Sequence, residues 1–136
     1  MIYLLILICA VLSLVIGFVW FGPLFGKLWL RVIKADELTL KARAEMQKKA
    51  KPLYILQFLM TVVQVAVLAT LIKGLSGIHA VNYTLLIWLG FIVPVLGGTA
   101  LWNNDSKEIA RTRFLIQAGY QLVLFVVFGL ILGLLA

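Results

Sequence analysis

Four long apolar runs, at 2–22, 53–72, 84–102 and 112–135, decide what this chain can fold into. A hydrocarbon core of about 30 Å takes roughly 20 residues of helix. In lipid the backbone must satisfy its own N–H and C=O groups, which leaves helices or closed barrels. Barrel strands alternate apolar and polar residues, and these runs do not alternate. The expected fold is all-α and integral to the membrane, with four transmembrane helices in a single domain over 1–136. Composition agrees, since 64% of the 136 residues are hydrophobic and 12% are charged, against about 45–50% apolar in soluble domains.

The formal charge of +7 would point to nucleic acid in a soluble protein. Here the charge is confined to the connections, so nucleic acid is not an expected partner. Connection 23–51 holds eight basic residues: Lys27, Arg31, Lys34, Lys41, Arg43, Lys48, Lys49 and Lys51. Connection 103–111 holds Lys107 and Arg111, with Arg113 just beyond, and Lys73 stands alone in the middle connection. The positive-inside rule then puts both basic connections in the cytoplasm, with both termini outside an inner (cytoplasmic) membrane. Tyr3, Tyr83 and Trp88 are expected at the outer level, and Trp29, Tyr54 and Trp102 at the inner one. Cys9 has no second cysteine to pair with and reads as a small packing residue. No Lys or Arg precedes the first run, which argues against a cleaved signal peptide.

The first run does not end cleanly. "GFVWFGPLFGKLW", from Gly17 to Trp29, carries three glycines, a proline, two tryptophans and a lysine. A single helix over 2–33 would be about 48 Å long, too long to stand upright in the bilayer. We therefore expect a break at Gly22–Pro23, since proline is favoured at a first helical position; the rival reading is one tilted or kinked helix. Beyond the break, Lys27, Arg31 and Lys34 share one face among apolar neighbours. That pattern suits a short helix in the inner interface, its basic face on anionic lipid headgroups. Residues 36–51 read as a polar cytoplasmic helix, with Glu37–Lys41 and Glu45–Lys49 spaced for ion pairs.

Setting "GFVWFGPLFGKLW" above "GFIVPVLGGTALW" aligns Gly17 with Gly90, Phe18 with Phe91, Leu28 with Leu101 and Trp29 with Trp102. After each comes a cytoplasmic connection and a helix with glutamine near its inner end, "YILQ" to Gln57 and "FLIQ" to Gln117. This is the pattern of two parallel-repeat helical hairpins.

Polar residues inside the runs are candidates for function. Gln57, Thr61 and Gln64 share one face of the second helix, and Gln117, Tyr120 and Gln121 one face of the fourth. Amides facing hydrocarbon are costly, so both faces should turn inward. There they either line a site for a small polar solute or ion, or hydrogen-bond across helices as glue. Pro94, Gly97 and Gly98 predict a kink in the third helix, where freed carbonyls would bind a cation or polar ligand, or helices simply pack closely. "NNDSKE" spaces Asp105 and Glu108 as a capping box, with a cation or proton site at Asp105 as the alternative. "GLILG", Gly129 to Gly133, is a small-residue face able to meet a neighbouring helix or a second protomer. No run carries a deep acid, base or histidine, and His79 falls in the outer loop. No metal site, cofactor or catalytic set is expected, and we read the chain as non-enzymatic.

The stretches "FGPLFGKLW" (Phe21 to Trp29) and "AGYQLV" (Ala118 to Val123), with "LQFLMTVVQVAVLATLI" between them, resemble the small prokaryotic membrane proteins grouped as domain of unknown function 1761. The resemblance spans nearly the whole chain. It implies four spans and brings no activity, cofactor or catalytic residue.

The function expected from the residues is to bind or pass a small polar solute or ion, as a homodimer. The alternative is a scaffold or accessory subunit whose basic face grips anionic lipid or a partner.

Overall fold

Each apolar run folds as a helix, and most of the helices extend past their runs. In the computed structural model, which describes residues 1–135, α1 (Ile2–Val19) leads through a π-helical turn (Trp20–Leu24) into α2 (Gly26–Val32). Then come α3 (Leu40–Leu71), α4 (Ile78–Ile87), a second π turn (Trp88–Ile92), α5 (Val93–Trp102) and α6 (Lys107–Leu135). Four rods, Ile2–Leu24, Leu40–Leu71, Ile78–Trp102 and Lys107–Leu135, are long and apolar enough to cross a membrane.

Both expected irregularities are present, and both are π turns. The Phe25 N–H reaches the Trp20 carbonyl five residues back at 3.0 Å, and Phe25 itself leaves the helical region at φ −121°, ψ 16°. Pro23 sits inside this turn, and Pro94 is the second residue after the other. Proline cannot donate to the carbonyl four residues back, and its ring clashes with it. The wider turn loosens the backbone where the proline needs room. After the first turn α2 is a separate short helix, but the break falls at Phe25, and Pro23 lies inside the π turn instead of at a first helical position. It ends in a Schellman motif: Ala35 N–H bonds the Leu30 carbonyl at 2.7 Å and Lys34 N–H the Arg31 carbonyl at 3.2 Å.

The polar segment and the second run form one helix instead of two. α3 has 32 residues with Pro52 inside it, and the Thr39 hydroxyl caps it by accepting from the Ala42 N–H at 3.2 Å. Glu37 precedes this helix, and the ion pairs among the described residues are Arg31–Glu108 and Arg113–Asp105, so neither expected i, i+4 pair forms. Ser106, not Asp105, caps α6, its Oγ accepting from Ile109 N–H at 3.3 Å. Asp105 is instead held by Arg113 at 3.2 Å, which also donates to the Val32 carbonyl at 3.3 Å and so ties α6 to the end of α2.

α6 is the central post. It packs most extensively on α4, and also on α5, α1 and α2, whereas α3 rests chiefly on α1. Glycines set the α4–α6 distance: a Cβ on Gly129 would lie 2.6 Å from Thr84 Oγ1, and one on Gly133 2.7 Å from the Ala80 Cβ. The "GLILG" face is thus occupied within the chain. Hydroxyl and indole groups do the cross-linking. Thr84 Oγ1 shares its proton between the Val81 and Phe125 carbonyls, both at 2.9 Å. Trp20 Nε1 donates to the Ile116 carbonyl at 2.9 Å, Trp88 Nε1 to the Ala118 carbonyl at 3.0 Å, and the Tyr120 hydroxyl to the Ser13 carbonyl at 2.7 Å. Trp88 therefore points into the bundle beside the middle of α6, not out to the interface. Cys9 is fully buried in the core, as a packing residue would be.

The core is lopsided along the length of the bundle. Leu5, Ile6, Val65, Leu68, Leu124, Phe125, Phe128 and Leu132 close the half nearer the termini. The half nearer the basic connections stays open.

Candidate functional site

The open half is a cleft of about 690 Å³ to which all four spans contribute. Along α3 its wall runs from Gln47 through Lys51 and Tyr54 to Gln57. At 1.5 Å per residue those ten steps carry the cleft about 15 Å down the helix axis. α6 supplies Gln117, Tyr120 and Gln121 from the opposite side, and α5 supplies Leu96. Phe18, Phe21 and Trp29, from the first span and α2, make the third wall. Gly17 lets that wall close on α6, since a Cβ there would lie 3.1 Å from the Tyr120 hydroxyl.

The glutamines are not glue. Neither Gln117 nor Gln121 bonds another helix among the described residues, and the Gln121 Oε1 is buried without a partner. Gln57 Nε2 reaches only Thr61 Oγ1 of its own helix, at 3.4 Å. The work expected of glutamine is done by Trp20, Trp88, Thr84 and Tyr120, each bonded to a backbone carbonyl. A carbonyl has two lone pairs, so a helix can accept such a bond without breaking its own ladder.

The rings form a cluster of three and a separate pair. Phe21 meets Trp29 edge-on at 4.8 Å and Tyr120 at 5.1 Å, and Phe18 meets Tyr54 at 5.9 Å. Such tilted and edge-to-face arrangements are the favoured ones for aromatic pairs.

The structure brings Gln57, Gln117, Tyr120 and Gln121 to one cleft, and leaves the other expected site residues out of it. Thr61 is buried and returns its hydroxyl to the Gln57 carbonyl at 2.9 Å. Gln64 is half-buried farther along α3. Pro94 is exposed, and Gly97 stands against Phe114, where a Cβ would find Cε2 at 3.7 Å. Lys27, Arg31 and Lys34 are all exposed at the basic end, where Arg31 faces Glu108 at 3.2 Å. Gln47, Lys51 and Tyr54 were not expected at the site. Their signal was present, for residues 47, 51, 54 and 57 form one helical stripe, but it is visible only when α3 is treated as one helix. The set holds no cluster of three His, Cys, Asp or Glu for a metal among the described residues.

No curated protein and no solved structure matches the chain. A family model does match, over residues 4–133, a range that includes both π turns and every cleft residue named above. The chain therefore belongs to the family described as "Protein of unknown function (DUF1761)".

Proposed function

We propose that this multi-pass membrane protein is a non-enzymatic binder of a small polar solute, which enters the cleft from the side of the basic connections. One observation carries the reading: Gln117 and Gln121 line a cleft within a membrane-spanning helix, neither amide has a hydrogen-bond partner among the described residues, and the Gln121 Oε1 is buried. An unbonded amide in an apolar setting costs a few kcal/mol, and a polar occupant removes that cost. The positive-inside rule makes the cleft mouth cytoplasmic and both termini external, in an inner membrane. Anionic lipid on that side would meet exposed Lys27, Arg31 and Lys34.

Passage of the solute is a second reading, supported by a depression of about 520 Å³ near the other end, beside Tyr3, Thr70 and Lys73. Core residues Phe125 and Phe128 separate the two hollows, so a carrier would have to repack that layer. A homodimer remains part of the proposal. Its support is the bare stripe of Leu56, Met60, Val63 and Val67 on α3, a face that lipid would satisfy equally well.

Native mass spectrometry of the protein released with its own lipids tests the central claim. The expected spectrum shows a reproducible added mass that disappears in Gln117→Leu and in Gln121→Leu. Protein that is bare, or carries only bulk lipid, would sink the solute reading and leave the lipid- or partner-gripping scaffold in its place.

A further inference from the structure

We infer that the cleft selects organic anions with a flat, unsaturated body and a second hydrogen-bonding group at the far end. The inference rests on the reading of the cleft as a binding site and adds to it the class of ligand.

Charge comes first. The chain has five acids, Asp36, Glu37, Glu45, Asp105 and Glu108, and none lines the cleft. Lys51 is the one charged side chain that does, and among the described residues it has no ion-pair partner. A cation entering would meet an unopposed ammonium at the mouth, although the rings could otherwise attract it. An anion finds there the charge it lacks.

Shape comes second. Between the lysine and the deeper amides, the Phe21–Trp29 and Phe18–Tyr54 pairs present aromatic surface on two sides. Planar groups bury area against such walls at little conformational cost, because they have few rotors to freeze.

The far end comes third. Lys51 and Gln57 are six residues apart, about 9 Å along the helix. Gln121 projects from α6 with its Oε1 unbonded, and one turn farther on Leu124 and Phe125 are buried in the core. A long acyl chain entering head-last would end against amides and then a closed core. A ligand whose inner tip carries a hydroxyl or amide would instead bond the amides there, drawing the enclosed Gln121 Oε1 toward the cleft by a side-chain rotation. This argument separates a short bipolar anion from a membrane lipid with the same kind of headgroup.

The test is calorimetric titration of the whole protein in nanodiscs of zwitterionic lipid, with empty discs subtracted. The probes are 4-hydroxycinnamate, its uncharged methyl ester, cinnamate without the far hydroxyl, tyramine as the cation, and dodecanoate as the acyl anion. We expect 4-hydroxycinnamate to bind at least tenfold tighter than each of the others. Lys51→Gln should erase its advantage over the ester while the ester still binds, which shows that the variant is folded. Gln121→Leu should erase its advantage over cinnamate. Equal binding by the ester or tyramine, or an advantage that survives Lys51→Gln, would overturn the anion selection while leaving a solute site intact. Tighter binding by dodecanoate would reassign the cleft to a lipid-derived anion and overturn the bipolar ligand. Silence from all five probes would overturn the inference, and the added mass sought from native membranes would then decide the broader reading separately.

Discussion

Lys34 is the only non-glycine residue with a positive φ among those described, at 61°. It holds the left-handed position of the motif that ends α2, where a Cβ costs roughly 1–2 kcal/mol and glycine does not pay it. Lys34→Gly should therefore stabilise the protein by up to about 1 kcal/mol, less than the full strain because glycine is also freer when unfolded. Denaturant titration in mild detergent would read the shift, and a loss of stability would contradict the assignment of strain to this residue. At the α4–α6 seam the sign reverses. Gly133→Ala forces a Cβ toward Ala80 with no flexible tip to yield, and should cost about 1–3 kcal/mol. Thr84→Val nearly keeps the shape and removes the hydroxyl proton shared between the Val81 and Phe125 carbonyls, so its expected cost is about 0.6–1.7 kcal/mol. The same titration ranks the two, and a valine variant worse than the alanine variant would show that the hydroxyl, not glycine spacing, holds the seam.

At the scale of elements, the two π turns share a construction. Each starts with a tryptophan whose indole N–H is fixed to a carbonyl of α6, at Ile116 for Trp20 and Ala118 for Trp88. Trp20 also stands over Gly119, where an added Cβ would come within 2.9 Å of its ring. The irregular turns are thus clamped to the uninterrupted helix α6, and the cleft wall that follows the first turn inherits its position. Trp20→Phe should cost about 1 kcal/mol from the lost bond and also weaken ligand binding in the cleft. Trp88→Phe, in the other π turn and outside the cleft lining, should cost a similar amount with little effect on binding. Equal losses of binding in both would mean the turns act on the bundle as a whole. α3 shows why such elements were hard to delimit. Its polarity changes at about Lys51, so a reading based on composition divides it there, but the backbone has no reason to stop being helical when its surroundings change from water to lipid. Pro52 marks the change without ending the helix.

For the whole molecule, the decisive property is the division into a packed half and an open one. Orientation is its first test. In a protein with Cys9 replaced by serine, Lys27→Cys should react with an impermeant maleimide only from the cytoplasmic side and His79→Cys only from outside. The reverse pattern would turn the cleft mouth to the exterior. The four runs, an irregular turn near Pro23 and another near Pro94, and the basic connections could be read from the chain, because each depends on residues close in sequence. The break itself falls at Phe25, and the second turn at Trp88–Ile92, ahead of Pro94, Gly97 and Gly98. The polar faces of Gln57 and of Gln117, Tyr120 and Gln121 were equally legible as faces. Which way they turned, and what met them, was not. In water an apolar stripe marks the side that is buried, but lipid is as apolar as a protein core, so a membrane helix that is apolar all round does not say which side faces its neighbours. The sequence by itself determined that four helices cross a membrane and which of their ends carry the charge. Only tertiary packing, through glycine contacts at Gly129 and Gly133 and carbonyl bonds from Trp20, Trp88 and Tyr120, decided that α6 is central, that α3 stands aside, and that the glutamines open onto a cleft instead of bonding one another.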